Sequence, residues 1–96
     1  MKFNYECNEN KNLMLKQRRG VNFDDVITAI EDDKLLADLK HHNQKKYPGQ
    51  RIFVVEIERY GYVIPYVERA SQNDLKTVFL KTVYASRKFT KKYIQP

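Results

Sequence analysis

Arg51-Ile52-Phe53-Val54-Val55-Glu56-Ile57-Glu58-Arg59-Tyr60, then Gly61, then Tyr62-Val63-Ile64-Pro65-Tyr66-Val67-Glu68, is the stretch on which the fold turns. Phe53, Val55 and Ile57 share one face of an extended segment, and Glu56 and Glu58 share the other. Gly61 marks a tight turn after this long first strand, and Tyr62 to Glu68 returns beside it as the second arm of a hairpin. Pro65 removes a ladder donor from the return strand, so it implies a sheet edge or a bulge there.

Downstream, Ser71-Gln72-Asn73-Asp74 reads as a loop, and Lys76 to Val83 as a third strand that completes an antiparallel meander. Ser86 can cap a final helix running to about Ile94, with Phe89 and Tyr93 on one stripe. Upstream, His41 to Gln50 is polar and ends in the turn signal Pro48-Gly49. Leu35 to Leu39 reads as a short edge strand or a loop. Asn22 is an N-cap with Asp24 and Asp25 in the first turn, and Phe23, Val26, Ile27 and Ile30 recur at helical spacing. Asn8 begins an earlier helix, from about Glu9 to Arg18, which Gly20 stops. Phe3 and Tyr5 alternate with polar residues in a short first strand. The expected fold is α+β: an antiparallel sheet with two N-terminal helices and a basic C-terminal helix, in one domain over residues 1–96.

Composition bounds the function. The chain is 42% hydrophobic and 12% aromatic, which is enough for a modest core and argues against disorder. Its 18 cations outnumber 12 anions, a net charge of +6 that suits a polyanion or an acidic protein. Cys7 is the only cysteine, which excludes an internal disulfide and a cysteine-based zinc site. No apolar run approaches the ~20 residues of a membrane span, and the first residues lack the apolar core of a signal peptide. The expected location is cytoplasmic.

The cations are unevenly placed. Lys76 to Pro96 carries six of them and no carboxylate, with Tyr84, Phe89 and Tyr93 interspersed. Phosphate attraction plus base stacking is the chemistry such a segment offers, and it points to RNA or DNA. Arg87 and Lys88 fall in the first turn of the last helix, where cations oppose the dipole; a docked phosphate makes sense of that placement. The acidic residues have plainer uses. Asp24 and Asp25 suit a helix start; Glu31, Asp32 and Asp33 sit awkwardly at a helix C-terminus, where they repel RNA or meet a basic partner. Glu56 and Glu58 suit a solvated sheet face better than a divalent metal site. Tyr60, Tyr62 and Tyr66 read either as a stacking platform or as one side of a half-buried hairpin. No cofactor or metal is expected. His41 and His42 are solvent-exposed loop residues on this reading, although an imidazole there can still carry a proton near neutral pH.

A family resemblance joins these pieces. Phe3-Asn4-Tyr5-Glu6, Lys11-Asn12 and Arg19-Gly20-Val21-Asn22-Phe23 resemble the opening of BrnT-type toxins. That family begins Phe-Glu-Trp-Asp, then Lys and Asn, then Lys-His-Gly-Val-x-Phe; its His stands where this chain has Arg19. Leu80 to Tyr93 is similar to the family's closing strand and basic helix. The resemblance implies a RelE-like fold, metal-independent RNA cleavage and a cognate antitoxin as partner. In such cleavage the RNA 2′-OH attacks the adjacent phosphate, which requires a base, an acid and cations around phosphorus. The resemblance offers Arg19, Lys81 and Arg87 as cations, Lys81 and Arg87 for the phosphorane and Arg19 for the backbone. Tyr93 is a stacking or proton-transfer candidate, and His41 is a proton carrier. The expected RNA contacts around them are Arg18, Lys45 and Lys46, with Tyr84, Lys88, Lys91 and Lys92 nearer the C-terminus. The alternatives are a non-catalytic module that binds RNA or antitoxin, and a structural partner in an operon-encoded complex.

Overall fold

The computed structural model describes residues 1–18 and 20–95, and its sheet is built around one long strand. That strand, β4 (Tyr60–Gln72), is thirteen residues long. Its first half pairs antiparallel with β3 (Arg51–Ile57), and its second half pairs antiparallel with β5 (Leu75–Leu80) on the other side. β2 (Leu35–Lys40) extends the sheet past β3, which resolves the Leu35 to Leu39 segment as an edge strand. β1 (Asn4–Cys7) lies beside β5, and the order across the sheet is β1-β5-β4-β3-β2. A short β6 (Tyr84–Ala85) pairs with Tyr62 and Val63 of β4.

The sheet is mixed, which corrects the antiparallel expectation: β1 runs parallel to β5, with Asn4 opposite Thr77 and Cys7 opposite Leu80. A parallel neighbour needs a long crossover, and here nearly the whole chain between Cys7 and Leu75 supplies it.

Helices cover both faces. α1 (Glu9–Gln17) starts at Asn8, whose side chain accepts from the Lys11 N–H. α2 (Phe23–Glu31) starts with a reciprocal capping box: the Asn22 side chain accepts from the Asp25 N–H at 3.1 Å, and the Asp25 carboxylate from the Asn22 N–H at 3.0 Å. Asn12 straps the two helices together by accepting from the Phe23 N–H at 2.9 Å. α2 buries Phe23, Val26 and Ile30 against Phe53, Ile64 and Val78. On the opposite face, Phe89 and Tyr93 of α3 (Arg87–Tyr93) cover Ile52, Val54 and Val63. β3 is therefore apolar on both sides, which is why Ile52-Phe53-Val54-Val55 runs without alternation. Asn22→Ala should cost about 1 kcal/mol by opening one donor of the box. A thermal melt should then fall by about 4–8 °C.

One turn assignment changes, and the loop expected over Ser71 to Asp74 narrows to its last two residues. The β3–β4 turn is made by Glu58 and Arg59, with φ of 52° and 65°, and the β4–β5 turn by Asn73 and Asp74, with φ of 54° and 63°. Paired left-handed residues match the twist of the strands they join. Gly61 is not the turn residue; it lies inside β4 under α3. A Cβ there would sit 3.0 Å from the Thr90 backbone N and 3.1 Å from its Oγ1. The Gly61 N–H donates to Thr90 Oγ1 at 2.8 Å, the Thr90 hydroxyl donates to the Ser86 carbonyl at 2.7 Å, and the Ser86 N–H donates to the Gly61 carbonyl at 2.9 Å. This closed ring of hydrogen bonds fixes α3 on the sheet.

Pro65 occupies a gap on the same edge of β4, after β6 pairing ends at Val63 and before β5 pairing begins at Tyr66. Its carbonyl accepts from the Lys81 N–H at 2.8 Å, and its missing N–H leaves no ladder bond broken. A proline can thus stand in a central strand where the neighbouring strand changes. Of the two readings of the tyrosines, the half-buried hairpin holds for Tyr62 and Tyr66. Tyr66 is fully buried, lies parallel to Phe53 at a centroid separation of 3.9 Å, and donates its hydroxyl to Asp38 at 2.5 Å. Tyr62 leans on the same core. Among the described residues no helix is long and apolar enough to cross a membrane.

Candidate nucleic-acid interface

The α3 face of the sheet carries two adjoining hollows. The larger, of about 530 Å³, lies where the 41–50 loop leaves β2 and where Lys81 and Thr82 leave β5. The smaller, of about 360 Å³, lies between β2 and α3 over Leu39, Ile52 and Val63. His42 and Tyr84 line both and mark their junction. Lys11, Lys46 and Lys81 line the larger hollow, and Lys40, Lys88 and Lys92 the smaller; among the described residues no Asp or Glu lines either.

Several carboxylates pair with cations that line neither hollow. Asp33 pairs with Lys2, Asp24 with Lys16 at 2.6 Å, Asp38 with Arg51 at 3.1 Å, Glu6 with Arg69 at 3.5 Å and Glu68 with Lys76 at 3.3 Å. Among the described residues, none of the six groove lysines pairs with a carboxylate. Lys76 thus leaves the basic cluster that the sequence suggests, while Lys11 and Lys40 join it. Lys11 was visible in the Lys11-Asn12 pair. Lys40 had no signal beyond its charge; it lines the smaller hollow from the C-terminal end of β2.

The loop from His41 to Gln50 is held by one side chain. The Gln44 amide donates to the carbonyls of His41 at 2.7 Å and Gln50 at 3.0 Å, and its oxygen accepts from the Gly49 N–H at 3.1 Å. His41 is buried at 8% exposure, which corrects the solvent-exposed expectation. Its ring stacks on His42 at 4.6 Å and lies against Tyr47 at 4.6 Å, and its Nδ1 accepts from the Asn43 N–H at 3.1 Å. The neutral ring therefore carries its proton on Nε2. Burial, then the neighbouring His42, holds the His41 imidazolium below its ordinary range. An occupied Nδ1 makes His41 a poor base; His42 is exposed and faces both hollows.

The depressed value has a stability consequence. Above the ordinary value of 6.5 both folded and unfolded chains hold His41 neutral, and stability is complete. As pH falls below that value the unfolded chain takes up the proton first, so stability is lost toward the lower folded value. The denaturation midpoint should fall between pH 7.5 and pH 5.5, and His41→Gln should flatten that fall.

The other anticipated residues divide. Lys81, His41, Lys46, Tyr84, Lys88 and Lys92 meet at the two hollows. Arg87, Lys91 and Lys45 are exposed but line neither. Arg18 caps the C-terminal end of α1, about 10 Å along the axis from Lys11. Tyr93 is half-buried, stacks on Phe89 at 5.9 Å and covers the α3-face core. Arg19 lies outside the described residues. The Lys81 ammonium rests 5.2 Å from the centre of the Phe79 ring, and partial burial with nearby Tyr47 holds the Tyr84 phenol above its ordinary range. Among the described residues no three His, Cys, Asp or Glu side chains gather as a metal site. No protein-family model matches the chain, and no curated protein or solved structure is significantly similar to it.

Proposed function

We propose that this protein is a toxin-type endoribonuclease that holds single-stranded RNA in the α3-face groove and cleaves it without metal, by attack of the RNA's own 2′-OH. The observation that carries this reading is the pair of joined hollows, lined by six lysines and, among the described residues, no carboxylate. Lys81 stabilises the charge that develops on phosphorus, and Lys46 and Lys11 hold the flanking backbone. His42 moves the proton, with His41 stacked behind it as a positioning residue. Arg87 and Lys91 add long-range attraction without touching the reacting atoms. The element order supports a RelE-like arrangement: two N-terminal helices, a central sheet and a basic final helix. A cognate antitoxin would silence the protein by laying acidic side chains over the same lysines.

The test is a partner-free protein incubated with mixed-sequence RNA in excess EDTA. Fragments ending in 2′,3′-cyclic phosphate are expected, and Lys81→Ala should slow their appearance by about 10²–10³. A second reading, an RNA- or antitoxin-binding module without cleavage, is favoured by the occupied Nδ1 of His41 and by the burial of Tyr93 in the core contact. Intact RNA that binds with a steep salt dependence would establish that second reading.

A further inference from the structure

We propose that the junction between the hollows is a nucleobase subsite flanked by a phosphate subsite on each side, so that the groove takes an unpaired nucleotide and rejects a duplex. This deepens, and rests on, the reading of the groove as an RNA site.

At the junction two exposed rings, His42 and Tyr84, face lysines on both sides. Tyr47, His41 and His42 form a pile with successive centroid separations of 4.6 Å, the two imidazoles 22° from parallel. His41 at its centre is buried, and the Gln44 hydrogen bonds brace the loop that carries it, so the pile is rigid before any ligand arrives. His42 ends the pile in solvent at the junction. Tyr84 lines the same point and is 47% exposed, one of few large side chains left so open. Its backbone pairs with Val63, which fixes the ring's origin on the sheet.

An exposed ring on a braced scaffold loses little entropy when a base stacks on it, and stacking tolerates any base. Phosphates on either side of that base would meet Lys46 and Lys81 in the larger hollow and Lys88 and Lys92 in the smaller. Gln50 lines the larger hollow, and its side chain makes no hydrogen bond among the described residues, so a carboxamide is available to a base edge. A duplex keeps its bases paired and inside, and would offer the lysines phosphates alone.

The experiment uses a 2′-O-methyl trinucleotide with 2-aminopurine at its centre, in EDTA. The methylated oxygen cannot attack, so binding is read without cleavage. Saturable quenching of the 2-aminopurine is expected, and an unlabelled hairpin that holds the same three nucleotides in its stem should not compete for the site. Replacing the central base by an abasic unit should weaken binding roughly tenfold. Tyr84→Ala should do the same and remove the quenching, while Tyr84→Phe should retain both; the melts of the two variants check that each is folded. Equal affinity for the abasic and parent oligomers would overturn the base subsite, as would quenching that survives in both Tyr84→Ala and His42→Ala. Quenching with uncut natural RNA leaves this subsite standing and removes the nuclease reading. Cleavage together with equal abasic affinity does the reverse.

Discussion

A Gly61→Ala protein is expected to melt about 10 °C below the parent, a loss of about 2 kcal/mol. The magnitude follows from what the new methyl meets. Its two nearest neighbours are Thr90 atoms at 3.0 and 3.1 Å, and the third is the Phe89 carbonyl carbon at 3.3 Å. Two of the three are backbone of α3, so no side-chain rotation relieves the crowding, and the helix must lift. Lifting it strains the ring of hydrogen bonds through Thr90 and Ser86 and loosens Phe89 and Tyr93 from Ile52, Val54 and Val63. The same motion displaces Lys88 and Lys92 from the smaller hollow. RNA affinity should therefore drop with stability, even at temperatures where the variant is folded. Differential scanning calorimetry reads the first effect and a filter-binding titration at 25 °C the second. Thr90→Ala separates the causes: it removes the Gly61 acceptor, leaving a buried N–H unpaired at a cost of about 1–3 kcal/mol. Its effect should not add fully to that of Gly61→Ala, because both break one ring. Full additivity would mean that α3 is not anchored there.

Gly61 also marks where sequence reasoning stops. A glycine after Tyr60 reads as a turn because turns are the usual reason for one, yet the turn here is Glu58-Arg59, a pair with no turn signature. The need for glycine comes from a helix 29 positions away, and no local pattern carries that information. Pro65 is the converse case. Its missing donor was legible, and so was the break in the ladder; that the break sits in the sheet's longest strand, between β5 and β6, was not. The helix starts at Asn8, Asn22 and Ser86 were fully legible, because capping is a local bond between residues three apart. The parallel β1–β5 pair was not, since register across so long a crossover has no signal in either strand. In the site, charge segregation pointed to the C-terminal cations. Its geometry came from elements with separate signals: a loop histidine turned inward, a lysine at the end of an edge strand and a lysine in the first helix.

Lys46→Glu with Lys81→Glu is expected to weaken single-stranded RNA binding by about 25-fold or more at 0.1 M salt. Each phosphate held on a single strand contributes about 0.7 to the slope of log affinity against log salt. At that salt concentration one lost contact is about fivefold, and two are about 25-fold before repulsion from the new carboxylates is added. The slope itself should flatten by about 1.4, which distinguishes lost phosphate contacts from general damage to the fold. Both side chains are exposed, so the stability change should be small. Net charge falls by four in this variant, so a matched control is needed. Lys2→Glu with Lys76→Glu makes the same change at two exposed lysines that already pair with Asp33 and Glu68 and line neither hollow. Breaking such surface pairs costs at most about 1 kcal/mol each. If the groove determines binding, the control should keep most of the affinity and most of the slope. If the two double variants weaken together, attraction follows the total charge of the chain and not the joined hollows, and the groove loses its claim to the RNA.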